Sequence, residues 1–276
     1  MWKELRAIVH AISSDPNVRA VVLSSALEKT FTAGLDLNAQ IELKQPALDP
    51  ARKALQLRDH VLDFQDAISS LEQCRQPIVC ALFGTSVGLA VDIASACDVR
   101  LAADDTTFGI LEVNVGLAAD IGTLQRFPKI VGNESLAREL ALTGRKFDAK
   151  EALDIGFVSK VVPGGRKGVI DAAVETTKTI ASKSPVAVIS TKHLMNRRIA
   201  CLAEDDGADG PSFTLVTSCG VRLTDARDHS VEEGLRYTAI WNASMLQSTD
   251  TVAAMKGVME KRAPKFAPIS SSRAKL

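Results

Sequence analysis

The stretch that decides the fold runs from Gln76 to Cys97 and reads QPIVCALFGTSVGLAVDIASAC. Residues 77–83, PIVCALF, form a continuous apolar run, which is typical of a strand buried on both faces. A glycine-containing turn follows, and the apolar residues of 89–97 then predict a helix. A buried strand joined to a buried helix indicates an α/β core.

Strand and helix signals also alternate on both sides of this stretch. Helical spacing of apolar residues predicts helices near 2–13, 51–73, 134–142, 148–155, 166–182, 185–198, 230–246 and 249–260. Short runs rich in β-branched residues predict strands at Val18–Leu23, Val99–Ala102 and Phe157–Val162. Residues 200–225 lack helical periodicity and gather Gly, Asp, Ser and Pro, which indicates an insertion or a long surface loop.

The composition is that of an ordinary globular protein. Hydrophobic residues make up 46% and charged residues 24% of 276 residues. The 33 basic and 33 acidic residues cancel, so no overall field favours nucleic acid or an anionic membrane surface. No apolar run approaches the roughly 18 residues of a membrane span. The five cysteines form no CxxC pair and are odd in number, which predicts packed, reduced thiols.

Three carboxylates stand apart from all other charges. Asp92 is the only charged residue of the stretch quoted above, and Glu112 and Asp120 are the only ones between residues 106 and 125. A helix cap or a distant arginine would explain any one of them. Three buried, locally unpaired carboxylates so close together instead indicate that their proton affinity is used. We expect a turn at Gly116 to let Glu112 and Asp120 face each other across a cleft.

Two glycine-containing segments could supply backbone N–H donors. Residues 31–37 read FTAGLDL and follow a strand and a polar turn. Residues 84–90 read GTSVGLA and join the buried strand to the start of a helix, where free N–H groups point outward. Two such donors could stabilise an oxyanion. Each segment alone is equally consistent with a plain turn.

Together these segments resemble the crotonase superfamily, the enoyl-CoA hydratases and isomerases. The similarity covers about 1–199 and 226–276, including VRAVVLSS, FTAGLDL, PIVCALFGTSVGLAVDIASACDVRLAA, FGILEVNVGLAADIGTLQRFPKIVGN and LTGRKFDAKEALDIGFVSKVV. Asp92 and Glu112 match the two acids of the family's hydratases. Asp120, in a GLAADxGTLQR context, resembles the branch of Δ3,5-Δ2,4-dienoyl-CoA isomerases, and so does segment 228–248, DHSVEEGLRYTAIWNASMLQS.

This resemblance implies an α/β crotonase (ClpP-like) spiral of ββα units with a C-terminal helical trimerisation region. It divides the chain into a core at 1–185, a helical region at 186–268 that contains the insertion, and a flexible tail at 269–276. The implied assembly is a homotrimer or hexamer. The family also begins with two strands and a loop ahead of the first helix, so the resemblance implies that these N-terminal strands are missing here.

The implied reaction moves a proton from C2 to C6 of a 3,5-dienoyl-CoA. Glu112 would remove the C2 proton, Asp120 would supply one at C6, and Asp92 would position or polarise them. The oxyanion donors would be the N–H groups of Leu35 and Leu89. Binding of the acyl-CoA substrate would involve Ala33, Gly34, Asp36, Leu37, Asn38 and Gly88. The resemblance implies no metal and no separate cofactor, because CoA is part of the substrate.

One departure from the family concerns the turn before Asp92. The family usually has a glycine-rich triplet where this chain has Gly88-Leu89-Ala90. We expect the N–H of Leu89 to donate despite its larger side chain. A second departure is the segment 200–225, which is either a genuine loop or a gene-model error.

The last three residues, Ala274-Lys275-Leu276, are a conservative variant of the Ser-Lys-Leu terminus. They predict recognition by the peroxisomal import receptor and location in the peroxisome or a related microbody.

Three other functions remain open from the sequence. Residues 84–88 satisfy G-x-S-x-G between a strand and a helix, so a serine esterase that uses Ser86 is one alternative. Within the resembled family, a 2-enoyl-CoA hydratase would need only Asp92 and Glu112. An inactive, truncated paralogue is the third.

Overall fold

The computed structural model describes residues 1–35, 49–200, 231–245, 247 and 249–262. The predicted substrate-binding residues Asp36, Leu37 and Asn38 lie outside the described residues. So do the predicted insertion from 201 onward and the targeting residues Ala274–Leu276.

Strands and helices alternate along the described chain. The strands are β1 (Val21–Leu23), β2 (Thr30–Thr32), β3 (Ile78–Leu82), β4 (Thr85–Val87), β5 (Val99–Ala103), β6 (Thr107–Gly109), β7 (Lys146–Asp148) and β8 (Lys160–Val162). The α-helices are α1 (Trp2–Ser14), α2 (Pro50–Gln73), α3 (Leu89–Ala96), α4 (Thr123–Val131), α5 (Glu134–Thr143), α6 (Ala149–Asp154), α7 (Gly165–Ala181), α8 (Pro185–Ala200), α9 (Val231–Met245) and α10 (Thr249–Met259). A 3₁₀-helix spans Glu112–Val115.

The strands form two sheets of four strands each. The first sheet has the order β1-β3-β5-β8 and is parallel throughout. The second has the order β2-β4-β6-β7, with β7 antiparallel to β6. Each consecutive pair of strands therefore gives one strand to each sheet. This architecture confirms the predicted α/β fold class, whereas the trimerisation role, the missing strands and the division into regions stay predictions.

Strand β3 lies at the centre of the first sheet and is buried on both faces, as predicted. Val79 and Ala81 pack in a cluster with Val169 and Ala173 of α7. The alternate residues, represented by Leu82, join the main core on the other face. The apolar run therefore fixes α7 on one side of the sheet and the helices that carry the functional residues on the other.

The crossing from β3 to β4 depends on Gly84. Its φ is +53°, and a Cβ atom there would lie only 2.1 Å from the carbonyl oxygen of Lys29. No side chain fits so close to a backbone atom. Glycine at this position therefore lets the chain pass from the first sheet into the second within two residues.

Several elements differ from the sequence predictions. The predicted strands Val18–Leu23 and Phe157–Val162 shorten to β1 and β8. The strands of the second sheet and helix α4 were not predicted. Cys74, Cys80 and Cys97 are buried, free thiols, as expected for the described cysteines. Within the described ranges, no helix is both long enough and apolar enough to cross a membrane.

Candidate active site

A cavity of about 270 Å³ opens where the start of α3, the 3₁₀-helix and the loop before α4 meet. All of the predicted site residues that the structure describes line it: Ala33, Gly34, Leu35, Gly88, Leu89, Asp92, Glu112 and Asp120. The rest of the described lining is Asn114 and apolar residues of the 3₁₀-helix, the adjoining loops and α10. The three carboxylates are thus the only charged groups among the described lining residues.

Asp92 lies in the first turn of α3 and is 2% exposed. Its Oδ1 accepts two hydrogen bonds from Thr123, one from the backbone N–H and one from the hydroxyl group, each 2.7 Å long. Burial raises the pKa of Asp92 to about 6, with a smaller contribution from the charge of Asp120. The donors of Thr123 and the charge of Arg126 oppose that rise in pKa. Thr123 therefore fixes the position of Asp92, and the pKa of Asp92 lies close to neutral pH.

Glu112 begins the 3₁₀-helix, which ends at Gly116 in the left-handed conformation. This turn brings Glu112 and Asp120 to one cavity, as the sequence predicted. The Oε2 atom of Glu112 is buried and accepts no hydrogen bond from the described residues. Burial, assisted by the charges of Asp92 and Asp120, raises the pKa of Glu112 to about 8. An unbonded carboxylate with this proton affinity is suited to act as a general base.

Asp120 lies in the loop between the 3₁₀-helix and α4. Its Oδ2 accepts a hydrogen bond of 2.9 Å from Nδ2 of Asn242 on α9. Burial raises the pKa of Asp120, and the bond from Asn242 opposes the rise. A carboxyl group that holds its proton above the usual range is suited to act as a general acid.

The glycine-containing segments meet beside the acids. A Cβ atom at Gly88 would lie 3.4 Å from Cα of Gly34 and 3.5 Å from Oε1 of Glu112. Leu89 is the first residue of α3, so its N–H has no partner one turn earlier within the helix. Its side chain belongs to the main core cluster. The segments that carry the N–H groups of Leu35 and Leu89 thus border the same cavity.

Comparisons with known proteins identify the family of the chain. The family described as enoyl-CoA hydratase/isomerase matches residues 1–210. The chain belongs to the enoyl-CoA hydratase/isomerase family. This confirms the resemblance inferred from the sequence.

Two relatives and one solved structure from this family are similar to the chain over most of its length. The mitochondrial Δ(3,5)-Δ(2,4)-dienoyl-CoA isomerase of Homo sapiens is 42% identical over 263 residues, which cover 95% of this chain and 71% of that protein. The peroxisomal Δ(3,5)-Δ(2,4)-dienoyl-CoA isomerase of Arabidopsis thaliana is 37% identical over 270 residues, 96% of this chain and 86% of that protein. The crystal structure of an enoyl-CoA hydratase/isomerase from Pseudoalteromonas atlantica shares 26% identity, with a TM-score of 0.72 and coverage of 96% of this chain and 88% of that one.

Two polar residues that hold the acids were not predicted from the sequence. Thr123 holds Asp92, and Asn242 holds Asp120. Thr123 is the first residue of α4, where backbone N–H groups have no partner within the helix. Asn242 is 2% exposed on an otherwise apolar helical stripe, and this isolated amide was the available signal.

The structure does not support a nucleophilic role for Ser86. Its side chain is fully buried, and its hydroxyl group donates to the carbonyl oxygen of Phe83 at 3.2 Å. Ser86 does not line the cavity that contains the three carboxylates. Across the described part of the chain, no group of three or more His, Cys, Asp or Glu side chains is arranged to hold a metal ion.

Proposed function

We propose that the protein isomerises 3,5-dienoyl-CoA thioesters to 2,4-dienoyl-CoA thioesters in the oxidation of unsaturated fatty acids. The observation that carries the proposal is the convergence of Asp92, Glu112 and Asp120, from three separate segments, on one cavity that is otherwise lined by Asn114 and apolar residues. Relatives named as dienoyl-CoA isomerases over 95% or more of this chain support it.

The first step removes a proton from C2. Ionised Glu112 takes this proton, and the electron pair of the C–H bond spreads over the thioester oxygen, C2, C4 and C6. The buried, unbonded Oε2 of Glu112 favours the protonated product of this step. The N–H groups of Leu35 and Leu89 supply the donors for the developing negative charge on the thioester oxygen.

The second step delivers a proton to C6. Neutral Asp120 protonates this carbon, which leaves double bonds at C2–C3 and C4–C5. One proton has then moved from substrate to Glu112 and another from Asp120 to product, so the substrate and product are isomers. Proton exchange with water then returns Glu112 to its ionised form and Asp120 to its neutral form before the next turnover. Asp92 polarises Glu112, because its negative charge increases the proton affinity of that residue.

Asp120→Asn tests the assignment of the acid. Asparagine keeps the shape of the side chain but cannot donate a carboxyl proton, so we expect turnover to fall roughly 100- to 10,000-fold with CoA binding intact. The measurement is the rise in absorbance as 3,5-dienoyl-CoA becomes a conjugated thioester. Asp154→Asn, at an exposed carboxylate on α6, is the control. Undiminished turnover in Asp120→Asn would contradict the proposal.

The same preparation separates isomerase from hydratase activity. Hydration of a 2-enoyl-CoA destroys its conjugation, so absorbance falls. We expect the wild-type protein to isomerise 3,5-dienoyl-CoA far faster than it hydrates a 2-enoyl-CoA. The reverse order would favour the hydratase and make Asp120 incidental, and the absence of both activities would favour an inactive paralogue.

We also propose the cofactor requirement, the assembly and the cellular location of the protein. CoA enters with the substrate, no further cofactor or metal takes part, and the protein assembles as a trimer or a hexamer.

The terminus Ala274–Leu276 directs the chain to the peroxisome through the import receptor. Removal of these three residues from a fluorescent fusion should leave it cytosolic, whereas unchanged peroxisomal fluorescence would contradict this targeting role.

A further inference from the structure

Asn242 is a buried amide on a helix that contributes no proton-transfer group. It lies on α9 beside Ala239 and Ala243, and all three residues are at most 3% exposed. An amide side chain placed on an apolar stripe must have its hydrogen bonds satisfied by the protein. The partners of Asn242 therefore indicate why the stripe contains it.

Both partners of Asn242 belong to the loop that carries Asp120. Its Nδ2 donates to the carbonyl oxygen of Ala118 at 3.1 Å and to Oδ2 of Asp120 at 2.9 Å. A backbone carbonyl can only accept, so the atom between these oxygens must be the amide nitrogen and not the amide oxygen. Both hydrogens of Nδ2 are then used, one for each oxygen.

This arrangement decides which oxygen of Asp120 can carry a proton. Oδ2 accepts from Asn242, and a protonated Oδ2 would bring a hydrogen toward the hydrogens of the amide. Oδ1 is therefore the atom that carries the proton when the carboxyl group is neutral. A second amide fixes the backbone at the same place, because Nε2 of Gln65 donates to the carbonyl oxygens of Asp120 and Leu235.

We propose that Asn242 is a positioning residue for proton delivery: its amide holds the neutral carboxyl group of Asp120 with the proton on Oδ1, available to the substrate. This inference rests on the proposed isomerase function. It gives α9 a role in the second half of the reaction, whereas Glu112 performs the first half without contact to Asn242.

The other side chains around the site differ in charge. The charges of Asp92 on α3 and Glu112 on the 3₁₀-helix repel a charge on Asp120. Arg126 on α4 lowers the pKa of Asp92 and pairs with Glu72 of α2. Gln65 of α2 and Val258 of α10 are neutral. Asn242 is therefore the side-chain donor that stabilises the charged form of Asp120, together with the backbone N–H of Asp120 itself, and removal of the Asn242 amide raises the pKa of Asp120.

Asn242→Leu removes the donor, and Thr238→Val is the matched control. Thr238 accepts a bond from Gln125 and thereby docks the same helix on α4 without contact to the carboxylates. We expect Asn242→Leu to lower kcat roughly 10- to 100-fold, with KM changed by less than about twofold. The alkaline limb of its pH profile should move to higher pH, because Asp120 stays protonated longer. Thr238→Val should change neither.

Solvent exchange separates positioning from general damage to the site. Glu112 can remove and return a C2 proton without Asp120, so C2 of a bound acyl-CoA should exchange with D₂O at an undiminished rate in Asn242→Leu. Equal losses of exchange and isomerisation would overturn the proposal. Asn242→Asp serves if the leucine variant does not fold: its activity relative to the wild-type protein should be highest at low pH, where the introduced carboxyl group can donate, and should fall as pH rises. A loss independent of pH would also overturn the proposal.

A titration without substrate keeps this inference distinct from the proposed function. Carbon-13 NMR of labelled aspartate carboxyl groups reports the pKa of Asp120, with Asp120→Asn identifying its signal. We expect a higher pKa in Asn242→Leu than in the wild-type protein, and identical titrations would overturn the role of Asn242. If the wild-type protein fails to isomerise 3,5-dienoyl-CoA, the proposed function fails while this titration still decides the role of Asn242.

Discussion

Glu112 combines a buried oxygen that lacks a hydrogen bond with a pKa raised to about 8. Folding must remove this group from water, and the neighbouring negative charges of Asp92 and Asp120 add to the cost. The property that suits Glu112 to remove a proton therefore opposes the stability of the folded chain.

Glu112→Gln should make this cost measurable as a dependence of stability on pH. The folded-state pKa lies above the unfolded value, so the folded state binds the extra proton and the wild-type protein loses stability as pH rises through about 8. Glutamine does not titrate. We expect the variant to gain roughly 1–3 kcal/mol relative to wild type between pH 5 and pH 9, measured by urea unfolding. A stability difference that does not vary with pH would show that Glu112 ionises normally.

Polar residues of the site differed in how visible they were in the sequence. Asp92, Glu112 and Asp120 stood out because each is a charge in an apolar stretch. Thr123 and Asn242 did not, because one hydroxyl or amide group on a helix is common. Their partners are also distant in sequence, by 31 residues for Thr123 and Asp92 and by 122 for Asn242 and Asp120. Only the fold brings them together.

At the scale of elements, the length of the apolar or β-branched run around each strand decided what could be predicted. Strand β3 was evident because five consecutive apolar residues are buried. The strands β2, β4, β6 and β7 have three residues each, which is too few to show alternation between a buried and an exposed face. Helix α4 was missed because Pro128 lies inside it and glycines flank it on both sides.

The packing of α4 explains how it persists despite Pro128. Phe127 on α4 lies 5.1 Å from Phe157 and 6.3 Å from Phe147, measured between ring centroids. Such aromatic contacts come from segments that no local pattern connects. They hold α4 against the second sheet, and so they hold Thr123 in place beneath Asp92.

Gly84→Ala tests the crossing between the two sheets. Both Gly84 and Gly132 have positive φ, but nothing lies within 4 Å of a Cβ at Gly132, whereas the carbonyl of Lys29 would clash with one at Gly84. Gly132→Ala should cost about 1 kcal/mol for its backbone conformation alone. Gly84→Ala should cost at least about 3 kcal/mol, because strands β2 and β4 must also move apart. Thermal unfolding measures both, and equal losses would show that the backbone at Gly84 relaxes freely.

At the scale of the whole molecule, α9 and α10 combine a buried face toward the site with an exposed apolar face. Tyr237 and Ile240 on α9 are 59% and 60% exposed, and Met259 on α10 is 54% exposed. The inner face of α9 reaches the site through Asn242, and Val258 of α10, which is 47% exposed, lines the cavity. Apolar residues exposed in this way commonly mark contacts between subunits.

Ile240→Glu should therefore disrupt the proposed trimer. A charge at this position would have to be desolvated in a contact between subunits, which is costly without a partner. We expect sedimentation velocity to show a trimer or larger assembly for the wild-type protein and a monomer for the variant. Leu142→Glu, at a 73% exposed leucine on α5, is the control and should leave the assembly intact. A wild-type monomer would contradict the proposed assembly.

The three acids are carried by three separate segments of the chain, and different partners support them. Asp92 depends on Thr123, Glu112 on its 3₁₀ turn, and Asp120 on α9. A mutation that removes or restores one acid therefore leaves the segments and hydrogen bonds that hold the other two in place, although it changes their pKa values. Natural selection can then act on one acid at a time, and a lineage can change which carbon is protonated by single substitutions while it keeps the cavity and the loops that border it.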